Sequence, residues 1–223
     1  MGKLINLRNI LFDDDFVDIK IKCFPKGIER LTSLRTLGYF PVGVKGDEIC
    51  KLGDIEHLNH IQGKLGIVGL KNVEDLGEVK NAFKNKIHLR ALYLSFTIGY
   101  DQEATKERME KDGAVLNALE LDPHLEILEI GDYLGTKVDP NWMMSSLTYL
   151  KSLSLRGCWK LDHLPPLGKL PLLQVLTIKF AENVGKTGDE WSKISHIPHI
   201  KIRGKYVPRD DQLADIDSEI VDA

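Results

Sequence analysis

The chain has 223 residues, enough to bury a sizeable core in one large domain or two small ones, which excludes a peptide hormone or a disulfide-stapled mini-protein. Lys and Arg number 30 against 33 Asp and Glu, so the formal charge is −3 and the basic surplus of a general nucleic-acid binder is missing. Three cysteines without C-x-x-C spacing signal neither a disulfide framework nor a zinc site, and no apolar run approaches the roughly 18 to 20 residues of a membrane span.

Met1-Gly2 opens the chain as a myristoylation site would, but Asn6 stands where Ser or Thr is required. Next come Ile10 and Phe12, separated by one residue, so that both point to the same side of an extended segment. The pair recurs as Leu37/Tyr39, Leu65/Ile67, Leu92/Leu94, Leu128/Ile130, Leu153/Leu155, Leu176/Ile178 and, weakly, Ile200/Ile202. Successive first members stand 27, 28, 27, 36, 25, 23 and 24 residues apart. Around the sixth pair the spacing widens into Leu147-x-x-Leu150-x-x-Leu153-x-Leu155-x-x-Cys158-x-x-Leu161-x-x-Leu164, the signature of a leucine-rich repeat, whose period is about 20 to 29 residues.

The connections between pairs read as follows. Asp13-Asp14-Asp15 with Asp18 lacks the Gly and terminal Glu of a calcium loop and reads as a solvated turn. Leu52, Ile55 and Asn59 fall loosely on one helical face, and His57 and His60 lack a convergent carboxylate or Cys to complete a metal site. Leu76, Val79, Ala82 and Phe83 form a second helical face; Val115, Leu116 and Leu119 form a third. The single long step contains a polar insertion near 99–113, running from Tyr100 to Gly113, expected as a solvated loop. Ser145 and Ser146 sit near no nucleophile elbow, and Pro165, Pro166 and Pro171 break the last connections. Gly185-Lys186-Thr187 echoes the end of a phosphate-binding loop, but Phe180 occupies the place of its leading glycine. Residues 205–223 are expected to be a disordered acidic tail: Pro208–Ala223 holds six acids and one base, hence −5, leaving +2 for the rest.

The fold class this implies is α/β: a leucine-rich repeat solenoid over 1–204, about eight irregular units, with a curved parallel β-sheet on the concave face and helices and irregular loops on the convex face. Three residues after the second core position, an Asn or Cys should close each turn. Cys158 conforms; Asp15, Val42, Leu70, Thr97, Tyr133 and Ala181 do not, and Cys158 is expected as a buried turn residue rather than a nucleophile. Alternation turns Ala91, Tyr93 and Ser95 outward, then Ile127, Glu129 and Gly131, then Ser152, Ser154 and Arg156, then Val175, Thr177 and Lys179. From these come the candidate protein-binding residues Tyr93, Ser95, Glu129, Ser152, Ser154, Arg156, Thr177 and Lys179. Tyr93 and Arg156 are the expected anchors, because Tyr offers contact area and Arg a forked donor set.

Several runs resemble the repeat region of plant intracellular immune receptors of the coiled-coil, nucleotide-binding, leucine-rich repeat family. They are Met1-Gly2-Lys3-Leu4-Ile5-Asn6-Leu7-Arg8, Leu31-Thr32-Ser33-Leu34-Arg35-Thr36-Leu37, the stretch from Leu58 to Val73, Leu89-Arg90-Ala91-Leu92-Tyr93-Leu94, Pro140-Asn141-Trp142-Met143 and Leu164-Pro165-Pro166-Leu167-Gly168-Lys169-Leu170-Pro171. The resemblance implies a cytoplasmic, non-enzymatic recognition module without cofactor or metal. Its implied partners are pathogen effectors or guarded host proteins, and the nucleotide-binding domain of the full receptor, not nucleic acid or membrane. Leu4 already belongs to a repeat, so the chain reads as a truncated receptor or a non-signalling fragment. A leucine-rich repeat adaptor, such as a ubiquitin-ligase substrate-binding arm, is the alternative, and it needs a docking domain ahead of Leu4.

Overall fold

Alternating aliphatic side chains build a ladder of short strands, each too narrow to bury its apolar side without its neighbours. The computed structural model describes residues 4–12, 23–44, 50–98, 104–138, 146–165, 167–180 and 194–206. Asp13-Asp14-Asp15, Asp18, Ser145, the Gly185-Lys186-Thr187 run, Pro140–Met143 and everything after Tyr206 therefore lie outside the described residues.

The strands are β1 (Asn9–Ile10), β2 (Thr36–Leu37), β3 (Tyr39–Pro41), β4 (Gly63–Val68), β5 (Leu89–Ser95), β6 (Ile127–Gly131), β7 (Ser152–Arg156), β8 (Val175–Lys179), β9 (His199–Ile202) and β10 (Lys205–Tyr206). β1 and β2 pair by themselves, while β3 to β10 form one sheet in chain order, parallel except for the last, antiparallel pair. Leu65, Leu92, Leu128, Leu153, Leu176 and Ile200 lie side by side in one row, and Ile67, Leu94, Ile130, Leu155, Ile178 and Ile202 in another, in the register the spacing predicts. All but the last unit's pair are fully buried. Each such side chain contributes roughly 1.5 to 3 kcal/mol of burial. The chain thus forms a leucine-rich repeat solenoid, with the sheet as its concave wall.

At Leu37/Tyr39 the expected register fails. Leu37 does align with Ile10, but Phe40, not Tyr39, stands beside Ile67, and Tyr39 stands beside Gly66. An extra residue separates the two inward positions, and the chain bends at Gly38 between β2 and β3. Gly38 is required there, because an added Cβ would lie 2.9 Å from the Phe12 ring. That ring packs on Tyr39 with centroids 4.1 Å apart and also meets Phe24, which continues to Phe40. Aromatic volume rather than leucine spacing sets this end of the ladder.

At the other end, Arg203 and Gly204 both adopt the left-handed region (φ 50° and 84°), as a two-residue hairpin turn demands. Lys205 and Tyr206, assigned above to the tail, consequently fold back beside β9 as β10.

The convex side is made of short turns of 3-10 helix, including Leu52–Ile55, Leu70–Asn72 and Leu167–Lys169, and of two α-helices, α1 (Leu76–Ala82) and α2 (Lys106–Ala118). α1 begins where the Asp75 carboxylate accepts from the Gly77 N–H at 2.7 Å, and it buries Val79, Ala82 and the following Phe83. Leu76, placed on the same face above, is 44% exposed, since it opens the first turn. α2 accounts for Lys106 to Gly113 of the polar insertion, which are helical rather than a loop. Inside it Arg108 Nε donates to Asp112 Oδ1 at 2.6 Å, and the Leu134 N–H from beyond β6 donates to Oδ2 at 3.2 Å. Asp112 is fully buried; burial raises its carboxyl above the ordinary range against the opposing pull of Arg108. An i, i+4 ion pair written in polar residues fastens the longest connection to the sheet.

The turn position after each strand keeps its burial while changing its chemistry. Leu70, Thr97, Tyr133 and Cys158 are all buried. The Tyr133 hydroxyl donates to the Lys137 carbonyl at 2.7 Å, and Cys158 Sγ lies near the Ile130 and Arg156 carbonyls.

Candidate protein-binding face

The side of the sheet turned away from the core presents three rows. The central one reads Tyr39, Gly66, Tyr93, Glu129, Ser154, Thr177, Lys201. One flank reads Lys64, Ala91, Ile127, Ser152, Val175, His199, and the other Pro41, Val68, Ser95, Gly131, Arg156, Lys179. All eight candidate residues therefore occupy one face. Over β3 to β5 that face is largely closed: Tyr39, Pro41, Gly66, Val68 and Ala91 are buried. From β6 onward, Ile127 and Arg156 are exposed and Glu129, Ser152, Ser154, Val175, Thr177 and Lys179 half-buried.

Three of the candidates converge. Glu129 stands beside Tyr93 on β5, and Arg156 Nη1 donates to Glu129 Oε1 at 3.0 Å. Gly131 lies opposite Arg156 and offers no side chain to block that diagonal reach. Burial raises the Tyr93 hydroxyl above its ordinary pKa, and the Glu129 charge adds to the rise, so the phenol stays protonated and able to donate at neutral pH. Ser95 is differently employed. Its hydroxyl and that of Thr97 each stand 2.9 Å from Asp132 Oδ2, tying the exits of β5 and β6 together. Asp132 itself sits at φ 55°, a left-handed turn residue that strand alternation could not locate. Ser152, Ser154 and Thr177 add hydroxyls along the rows, with Lys179 beside Arg156.

Alternation also reaches Lys201 and His199, left out above because their unit is weak. Lys201 Nζ lies 5.3 Å from the Tyr206 ring centroid, on the strand that the tail reading concealed. At the edge before the strands, Glu126 accepts from Lys151 at 2.8 Å, which lowers its carboxyl pKa.

Elsewhere, His57 and His60 are exposed, and among the described residues no group of three or more His, Cys, Asp or Glu could hold a metal. Cys158 is fully buried, and burial pushes its thiol up to about 12, so it stays protonated as a turn residue. Cys23 and Cys50, distant in sequence, meet: the Cys50 N–H donates to Cys23 Sγ at 2.7 Å. Among the described residues no helix is long and apolar enough to cross a membrane.

Comparison with known proteins locates this architecture. The family model described as R13L1/DRL21 LRRs matches residues 52–181. The chain is 32% identical over 156 residues to the putative disease resistance protein RGA4 of Solanum bulbocastanum, covering 70% of this chain and 15% of that protein. It is likewise 32% identical over 161 residues to the putative disease resistance protein At3g14460 of Arabidopsis thaliana, covering 70% of this chain and 11% of the relative. The chain thus spans 15% or less of the length of these relatives. Among solved structures, the mouse RP105/MD-1 complex aligns over 80% of this chain and 28% of that chain, with a TM-score of 0.45 at 19% identity.

Proposed function

Because the chain belongs to the R13L1/DRL21 leucine-rich repeat family, we propose that it is the protein-recognition module of a plant intracellular disease resistance receptor. Its relatives are named as putative disease resistance proteins. In this reading the repeats over 1–204, extended by β10, form the binding body, and the acidic residues beyond follow it. The module works in the cytoplasm without catalysis. It binds a pathogen effector or a guarded host protein, and within a full receptor it contacts the nucleotide-binding domain.

The observation that carries the reading is the continuous register from Lys64 of β4 to β9, in which Tyr93, Glu129, Ser154, Thr177 and Arg156 share the face turned away from the core. Such a surface suits a protein rather than a small molecule, because its polar groups are spread over four strands instead of converging in a cleft. The anchors are Tyr93 and Arg156, with Ser95, Ser152 and Lys179 at their margins.

The test is a pull-down from plant extract with this chain as bait, the captured protein then being identified and its Kd measured against the wild type, Tyr93→Ala and Arg156→Ala. A weakening of about 10-fold or more in either variant, the effect of losing a modest anchor, is expected. A partner bound equally by all three would remove the open face from the reading.

A further inference from the structure

Two of the three cysteines, 27 residues apart in the chain, come together at the aromatic end of the ladder. Cys23 lies in the connection from β1 to β2, just before Phe24 and the 3-10 turn Ile28–Arg30, and Cys50 lies in the next connection, before Leu52–Ile55. The Cys50 N–H donates to Cys23 Sγ at 2.7 Å, and each thiol donates to the Phe24 carbonyl at 3.1 Å. The Phe24 N–H in turn donates to Cys50 Sγ. Both sulfurs therefore meet over one peptide group.

The path from one Cα to the other, along the Cys23 side chain, across the 2.7 Å contact and down the Cys50 N–Cα bond, adds up to about 7 Å at most. Cysteines farther apart than that cannot be bridged without moving the backbone, and this pair lies inside the limit. Because both sulfurs reach the same carbonyl oxygen, the two side chains converge. They differ in access: Cys23 is half-buried, whereas Cys50 is 2% exposed. Burial, with the hydrogen bond to Cys23, holds the Cys50 thiol above its ordinary range, so it keeps its proton. An accessible thiol beside a second, sheltered one is the arrangement of an attacking and a resolving cysteine.

We propose that Cys23 and Cys50 form a peroxide-sensitive dithiol, which closes into a reversible disulfide and clamps the first two units of the ladder together. The Cys23 sulfur attacks one oxygen of hydrogen peroxide: an S–O bond forms, the O–O bond breaks, and the second oxygen leaves as water with the thiol proton. Cys23 is then a sulfenic acid. The Cys50 sulfur attacks the Cys23 sulfur, the S–S bond forms and the S–O bond breaks, releasing a second water that carries the Cys50 proton. The sulfurs lose two electrons and the peroxide gains them. A dithiol reverses the step by exchange and becomes the disulfide itself. The bridge closes a loop that holds β2, Gly38 and β3, and loop closure stabilises chiefly by restricting the unfolded chain. Oxidation thus pins the closed end of the sheet and leaves the open face of β6 to β9 as it stands.

The test uses the full chain and needs no partner, so it fails separately from the recognition reading. The reduced protein is treated with a modest excess of hydrogen peroxide, digested without reductant and mapped by peptide mass spectrometry. Expected is a Cys23–Cys50 link that dithiothreitol removes. Cys158 is the internal control: fully buried, with its Sγ near the Ile130 and Arg156 carbonyls, it should remain a thiol. Hydrogen exchange at the β3 amides should slow about ten-fold or more on oxidation while β7 and β8 are unchanged. In Cys50→Ala the Cys23 sulfenic acid has no resolving thiol, so trapping by dimedone should rise about ten-fold over wild type. Cys23 recovered as sulfinic acid beside an unmodified Cys50 thiol in the wild type, or links made through Cys158 instead, would overturn the pair. Unchanged β3 exchange would overturn the clamp, and equal dimedone trapping would remove Cys50 from its role.

Discussion

The two halves of the sheet use the same strand and treat its second face in opposite ways. From β6 to β9 the inward rows are leucine and isoleucine, while the outward rows carry Glu129, Ser152, Ser154, Arg156, Thr177, Lys179 and Lys201 beside Ile127 and Val175, so one face is core and the other is surface. From β3 to β5 the outward positions Tyr39, Pro41, Gly66, Val68 and Ala91 are buried too, and aromatic rings link Phe12, Tyr39, Phe24 and Phe40 around them. Repeat spacing alone fixes where strands stand. What the open face can do is decided by the residues between the leucines, and here they largely close it over the first half, Tyr93 and Ser95 excepted, and leave it open over the second.

The largest effects should come from breaking each half in turn. Phe40→Ala removes a fully buried ring and is expected to cost about 3 to 5 kcal/mol, and Leu153→Ala about 2 to 5, measured by urea unfolding. Because each unit touches mainly its neighbours, hydrogen exchange should localise the damage. Phe40→Ala should accelerate amides of β3 and β4 and spare β7 and β8, with Leu153→Ala doing the reverse. Equal acceleration across the whole sheet in either variant would mean that the halves are one cooperative unit.

Asp112 lies at the junction of the halves, in the connection from β5 to β6. Asp112→Ala leaves the Arg108 guanidinium buried without its carboxylate and the Leu134 N–H without its acceptor. The expected loss is about 3 kcal/mol, since removing the carboxylate of a buried pair takes away the nearest compensation of the other charge. The double variant Arg108→Met with Asp112→Leu should recover most of it in the same urea titration, because no uncompensated charge then remains buried. Failure to recover would assign the loss to the Leu134 N–H instead.

How much of this was readable beforehand depends on which force set each element. Rows β4 to β9 follow from period-2 alternation, and the open-face residues Tyr93, Glu129, Ser154, Arg156, Thr177 and Lys179 follow with them, because alternation fixes direction without knowledge of packing. The bend at Gly38 was hidden: Leu37 and Tyr39 satisfy the spacing, and only the Phe12 ring, a contact across units, makes Phe40 the inward residue. In α2, Arg108 and Asp112 are written as a solvated i, i+4 pair is written, and nothing local says that they face the sheet. Gly204 signals both an end and a turn; pairing with β9 chooses the turn. The partner was legible only as a class, since it depends on chemistry this chain does not carry.

A milder comparison is between polar groups buried in the first half and those exposed in the second. Lys86, in the turn between α1 and β5, is 1% exposed; its Nζ donates to the Glu56 carbonyl at 3.0 Å and to Asn59 Oδ1 at 3.2 Å. Burial pushes its pKa down from 10.5 to about 8. Between those values the unfolded chain holds the proton and the folded chain does not, so stability rises with pH across that window, by up to about 3 kcal/mol. The buried thiols of Cys50 and Cys158 act oppositely. Their folded pKa values are raised, so their contribution falls as pH passes their ordinary value of 9.0. The measurement is therefore the difference between wild type and Lys86→Met in urea midpoints from pH 7 to 10, in which the thiol contributions cancel. Wild-type stability should rise relative to Lys86→Met as pH approaches 10, and a constant difference would place the Lys86 ammonium in a solvated site.

The smallest expected change in stability is the most informative about function. Arg156 and Glu129 form an ion pair whose Arg side chain is 52% exposed, so Arg156→Ala should alter the urea midpoint by less than about 1 kcal/mol. The same truncation is expected to weaken partner binding by about 10-fold or more, because a partner that covers the pair removes the water that screens it. Phe40→Ala should show the converse, a large loss of stability with binding retained by the molecules that remain folded, since its ring lies in the core on the other side of the sheet. Measured by titration calorimetry well below the melting temperature, the two substitutions separate the roles of the two halves. If Phe40→Ala weakened binding as much as Arg156→Ala, the aromatic end would be part of the contact surface, and the division of labour along the sheet would be gone.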